Sequence, residues 1–108
     1  MKYLMILGMI ILLIPCVSAQ IYVPDDYSCI QWAVNNASEG DTIVVRDGSY
    51  HEYVRVWKSV TIISENGPAN CEVVGFYINA SDVIIDGFTI SDSTYGVYID
   101  SVESCGVY

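Results

Sequence analysis

Val60-Thr61-Ile62-Ile63 recurs 23 residues later as Val83-Ile84-Ile85-Asp86, and a further 23 residues on lies Gly106-Val107-Tyr108. Ser81-Asp82 and Ser104-Cys105 keep the same offset. This repeat limits what the chain can fold into more than any other feature does. A unit of that size holds a few short strands and cannot bury its apolar face alone, so successive units must stack.

The stretch from Gly40 to Gly67 shows what one unit contains. Runs over 42–46, 53–57 and 60–64 are rich in β-branched and aromatic residues, and Gly, Asp, Asn and Ser punctuate them. The adjacent apolar pairs Val44-Val45 and Ile62-Ile63 depart from strict alternation, as in strands covered on more than one side. Further strands are expected over 20–23, 72–74, 83–86, 88–90 and 97–99, with Gly48, Gly75, Gly87 and Gly96 among the separators. One helix comes before most of them. Asp26 or Ser28 is its expected N-cap, and Ile30, Ala33, Val34 and Ala37 fall at i, i+3, i+4 and i+7, one apolar face. Gly40 is its expected stop.

Five short motifs occur in a fixed order: Ile21-Tyr22-Val23-Pro24-Asp25-Asp26-Tyr27, Ile30-Gln31-x-Ala33-Val34, Gly40-Asp41-Thr42-Ile43, Gly48-x-Tyr50-x-Glu52 and Ser59-Val60-Thr61-Ile62. Together they resemble the start of the pectin-lyase-like right-handed parallel β-helix proteins, and within these the NosD-like and CASH-domain surface proteins. Val83-Ile84-Ile85-Asp86-Gly87-Phe88-Thr89-Ile90 resembles their inner coils. The likeness spans residues 21–108. It implies an all-β fold: a short right-handed parallel β-helix, a solenoid of about three coils, with one N-terminal capping α-helix whose apolar face covers the first coil. It implies little about activity, because the superfamily mixes lyases, esterases, hydrolases and non-catalytic binders.

The N-terminus reads as a leader. Met1-Lys2 supplies a charged start, residues 3–14 form an apolar run broken only by Gly8, and Pro15 ends it. Val17-Ser18-Ala19 offers small residues for cleavage before Gln20, the layout of a secretory signal peptide. The run is shorter than the about 20 apolar residues a membrane span needs. The domain reading is therefore a signal peptide over 1–19 and one domain over 20–108, with an extracellular or cell-surface location and membrane contact only through an uncleaved leader. Cleavage leaves 3 basic and 13 acidic residues, a balance of −10. That balance argues against nucleic acid and anionic lipid as partners.

Three cysteines follow the leader: Cys29, Cys71 and Cys105. Export permits a disulfide, and Cys29–Cys71 is the favoured pair, although spacing alone does not set connectivity. Two Asn-x-Ser sequons, Asn36-Ala37-Ser38 and Asn79-Ala80-Ser81, are glycan acceptor candidates in an exported chain.

Candidate chemistry is thin. The resemblance brings calcium-assisted lyases with it, and Asp82, Asp86, Asp92 and Asp100 are the acids available for such a site. Their spacing fits neither an EF-hand nor a nonapeptide calcium repeat, and Asp86-Gly87 reads first as a corner. His51 stands alone between Tyr50 and Glu52, without a nucleophile or a metal-binding neighbour in sequence. Glu52 reads as structural, and Arg46 and Arg55 as partners of nearby carboxylates. No catalytic and no metal residue is assigned, and calcium is the one cofactor left open. One histidine, and methionines confined to the leader, give a copper role little support. Tyrosines are abundant, and their rings suit the filling of solenoid corners before they suit stacking on sugar; the resemblance to proteins that bind or process polysaccharides keeps Tyr95 and Tyr98 as the candidates for sugar contact.

The expectation is a non-catalytic secreted or cell-surface module, with carbohydrate or cell-envelope components as partners. A calcium-assisted polysaccharide lyase or epimerase and a structural envelope component are the alternatives. The stop at Val107-Tyr108 without a visible cap predicts either truncation or burial of that end in an oligomer.

Overall fold

The computed structural model describes residues 19–92, 94–100 and 105–108. β-branched runs form the strands β1 (Gln20–Val23), β2 (Thr42–Val45), β3 (Gly48–Val56), β4 (Thr61–Ser64) and β5 (Cys71–Ile78). Short strands follow: β6 (Ile84–Asp86), β7 (Thr89–Ile90), β8 (Val97–Ile99) and β9 (Gly106–Val107). The helix α1 (Ile30–Asn36) lies between β1 and β2, and a 3-10 turn, Pro68–Asn70, leads into β5.

The strands make two sheets of parallel neighbours. One runs β1-β2-β4-β6-β9; the other runs β3-β5-β7, with β8 also pairing β5. The sequence repeat appears as pairing register, for Thr61 sits beside Ile84 and Ile62 beside Ile85. Ile43, Val45, Ile62 and Ile85 from the first sheet meet Val54, Val56, Val73, Phe76 and Ile78 from the second, all essentially closed to solvent. The Phe76 ring meets Phe88 edge-on at 5.4 Å, a favoured aromatic geometry.

The expected all-β right-handed parallel β-helix, a solenoid of about three coils, is corrected here. The chain is α/β: among the described residues, nine strands form two separate parallel sheets, and a helix shares their core. Ile30, Ala33 and Val34 of α1 are fully buried in the same apolar cluster as the strand residues. Apolar spacing recorded which faces turn inward. It did not record how many layers those faces would be divided among.

The helix also starts later than its local sequence suggests. Its N-cap is Cys29, and no side chain of its own segment caps it. The Glu52 carboxylate of β3 accepts from Ile30 N and Gln31 N, each at 3.0 Å. Those are two of the N–H groups that a first helical turn leaves unpaired. At the other end Lys58 Nζ donates to the carbonyls of Asn35 and Ala37 at 2.8 and 2.6 Å. A strand and a lysine two residues past its end thus hold both ends of the helix. Asp41, the one buried charged residue described, accepts from Ala19 N and Ser38 N at 3.0 and 2.9 Å.

Two strands run longer than the sequence suggests. β3 extends back to Gly48, with a register irregularity between Tyr50 and Tyr53. β5 continues through Gly75 to Ile78. Gly75, expected as a separator, is there for close approach. A Cβ on it would lie 2.4 Å from the Gly96 carbonyl oxygen and 2.8 Å from a Tyr53 ring carbon.

Candidate functional site

The second sheet turns its polar face outward through the period-two alternation of its strands. Val54 and Val56 point in, so Tyr53 and Arg55 point out. Register then lines up the outward residues. Arg55 pairs with Tyr77, and Tyr77 with Tyr98. The Tyr77 and Tyr98 rings stack at 5.2 Å with 12° between their planes, and the Arg55 guanidinium lies 5.6 Å from the centre of the Tyr77 ring. A row of cation, ring and ring crosses three strands.

One step back along the same strands, Tyr53 fills the space that Gly75 leaves open, and its hydroxyl donates to the Tyr95 carbonyl. The turn carrying Tyr95 is shaped by Asp92, whose Oδ1 accepts from Thr94 N at 2.8 Å and Tyr95 N at 3.3 Å. Tyr53, Tyr77, Tyr95 and Tyr98 together line an open cleft of about 350 Å³. A second hollow, of about 220 Å³, continues it between Tyr53, Arg55 and Tyr77. Tyr95 and Tyr98 are the most exposed of the four, at 66% and 45%.

The structure therefore places the two tyrosines singled out from sequence, Tyr95 and Tyr98, in one cleft. It adds Tyr53, Tyr77 and Arg55, which sequence reasoning missed as site residues. The period-two spacing of Tyr53 and Arg55 was a signal for a shared face. The partnership of Arg55 with Tyr77, 22 positions onward, and of Tyr77 with Tyr98, a further 21 onward, emerges only from register.

The charges around the cleft are few. Tyr77 Oη donates to Asp100 Oδ2 at 2.9 Å, and this bond to a carboxylate is the main reason the phenol titrates above its ordinary range. Arg46, as expected, pairs with carboxylates: Asp25 at 2.8 Å, and Glu65. Its bond holds the Asp25 carboxyl below the usual aspartate range. Arg55 departs from the expectation. Among the described residues its guanidinium forms no ion pair, and it faces the Tyr77 ring instead.

The remaining candidates lie apart. His51 is exposed on the outside of β3. Asp82 sits in a left-handed turn with φ 58°, and Asp86 ends β6. Among the described residues no group of three or more His, Cys, Asp or Glu is placed to hold a metal ion. The favoured Cys29–Cys71 bridge is not formed; both are free thiols, Cys29 half-buried and Cys71 buried. Burial pushes the Cys71 thiol up to about 11. Cys105 Sγ donates to the Ala80 carbonyl at 3.2 Å. Asn36 and Asn79, the sequon asparagines, are both exposed. The leader expected over 1–19 lies outside the described residues except for Ala19. No described helix is long and apolar enough to cross a membrane.

Neither a family model nor a solved structure matches the chain, so the resemblance to pectin-lyase-like, NosD-like or CASH-domain proteins gains no support from them. One similar curated protein is a cell surface glycoprotein of Methanothermus fervidus, 34% identical over 88 residues, a match that covers 75% of this chain. The chain spans 15% of that relative's length.

Proposed function

We propose that the chain is a non-catalytic module of a cell-surface protein and that its tyrosine cleft contacts carbohydrate. The observation that carries the reading is the convergence of Tyr53, Tyr77, Tyr95 and Tyr98 on one open cleft with Arg55 at its side. Aromatic rings offer flat apolar faces with a polar tip, which suits the mixed apolar and hydroxylated faces of sugars. Large exposed aromatics gathered in one place mark contact surfaces more often than scattered ones do. The surface location draws on the similar cell surface glycoprotein and on the leader-like N-terminus.

Titration of the unglycosylated protein with a panel of neutral and acidic oligosaccharides, followed by heteronuclear NMR, tests this directly. Shifts confined to Tyr53, Tyr77, Tyr95, Tyr98 and Arg55 are expected, with at least a tenfold weakening in Tyr98→Ala. An unchanged spectrum across the panel at millimolar sugar overturns the carbohydrate reading and leaves a purely structural envelope role as the better account.

A further inference from the structure

The two sequons differ in what surrounds them. Asn36 ends α1, and its Nδ2 already donates to the Trp32 carbonyl at 2.8 Å. Asn79 follows β5 directly, is exposed, and its Nδ2 has no hydrogen bond among the described residues. Its backbone stays in the sheet, since Asn79 N donates to the Val56 carbonyl at 3.0 Å. Asn79 therefore lies two positions beyond Tyr77 on an extended segment, which puts both on the outward face. Tyr77 itself points toward that end, for its hydroxyl reaches Asp100, and Asp100 N donates to the carbonyl of Ile78 at 2.9 Å. Asn79 thus stands at the foot of the wall that Tyr77 and Tyr98 build on the far side of the cleft from Tyr53.

We propose that Asn79 carries an N-linked glycan whose first sugar packs against the Tyr77–Tyr98 wall. The proposal rests on the reading of this tyrosine surface as one that contacts carbohydrate, and it names the sugar closest to hand. Ser81 supplies the hydroxyl of the sequon and is exposed. The transfer joins Asn79 Nδ2 to the anomeric carbon of a sugar carried on a lipid phosphate donor. The sugar–phosphate C–O bond breaks, the phosphate leaves with the bonding pair, and Nδ2 gives up one proton. No oxidant or reductant enters. An aromatic two residues before the acceptor gives the bound sugar an apolar floor, so the glycan stabilises the fold where a glycan on bare polar surface would not.

The test uses the full chain behind a secretion leader of an N-glycosylating eukaryotic host, recovered from the medium, in an Asn36→Gln background. Peptide mass mapping is expected to find the glycan on the peptide holding Asn79 and to lose it in Asn79→Gln. Enzymatic removal of the glycan is expected to lower Tm by a few degrees, and by much less in Tyr98→Ala. Nuclear Overhauser contacts between the first sugar and the Tyr77 or Tyr98 ring protons check the packing without any ring substitution. Exported protein with Asn79 bare overturns the site. A glycan at Asn79 that shows no ring contact and stabilises wild type and Tyr98→Ala equally overturns the packing. Binding of free saccharides, measured on unglycosylated protein, succeeds or fails independently of both results.

Discussion

The side-chain amide of Gln31 grips the backbone of Arg55 as a neighbouring strand would. Its Oε1 accepts from Arg55 N at 2.7 Å and its Nε2 donates to the Arg55 carbonyl at 3.0 Å. A helix residue thereby pairs both groups that β3 turns away from β5, and the sheet edge is blunted at the residue whose side chain flanks the tyrosine cleft.

Gln31→Leu removes both bonds and leaves the Arg55 N–H and carbonyl to water. The pair is exposed, so the cost is about 1 kcal/mol, and Tm is expected to fall by roughly 4–8 °C for a domain of this size. The sharper readout is hydrogen exchange: the Arg55 amide loses protection while the amides of β2 and β4 keep theirs. Unchanged protection at Arg55 would show that the amide clamp does not hold in solution.

Glu52→Ala takes the accepting carboxylate away from Ile30 N and Gln31 N. Hydrogen bonds to a charged group contribute about 1.5–3 kcal/mol, so the loss is expected to exceed that of Gln31→Leu. Glu52→Gln, which keeps one accepting oxygen, falls between the two. Chemical denaturation of the three variants checks the order; equal midpoints for Glu52→Ala and wild type would refute the tertiary cap.

Gly75→Ala places a methyl group 2.4 Å from the Gly96 carbonyl oxygen. Backbone cannot yield as a flexible side chain can, and overpacking of this kind costs typically 1–3 kcal/mol. Tyr53 is also pushed off its seat, so the variant is expected to lose both stability and the shape of the cleft. A melting curve together with the chemical shifts of the Tyr53 and Tyr95 rings follows the two effects; a wild-type melt with unmoved rings contradicts the close approach.

Cys71 supplies a pH test. Its thiol is pushed from 9.0 up to about 11, first by burial and then by the Asp47 charge. A thiol whose folded value is raised contributes stability that is present below about pH 9 and is lost as the pH climbs toward 11. Alkylation at pH 8 is therefore expected to modify Cys29 well before Cys71. Cys71→Ser, which lacks the thiol ionisation, is expected to lose less stability than wild type between those pH values. Equal alkylation rates at Cys29 and Cys71 would argue against the burial of Cys71.

Much of the secondary structure was legible in the residues. β1 and β8 fall where β-branched and aromatic runs place them, and Ile30, Ala33 and Val34 form the buried helix face that their spacing announces. The errors lie where a residue answers to a distant partner. Gly75 looks like a break in one dimension and is a gap for the Tyr53 ring in three. Asp26 and Ser28 look like helix caps, yet Glu52 does the capping from another element, because a carboxylate held by a strand needs only the right distance and not a sequence offset. The division into two parallel sheets with a helix in their core followed from the same cause, since local patterns encode which face is apolar and not which face it meets.

By itself, the sequence determined the short strands, the amphipathic helix, the acidic balance, the 23-residue recurrence and the presence of many tyrosines and of sequons at Asn36 and Asn79. The tertiary structure alone decided that Tyr53, Arg55, Tyr77, Tyr95 and Tyr98 share one surface. Alternation tells which way a side chain points along its own strand, but a site spanning several strands depends on the register between them. That register is set by packing across the core, which couples residues more than 20 positions apart.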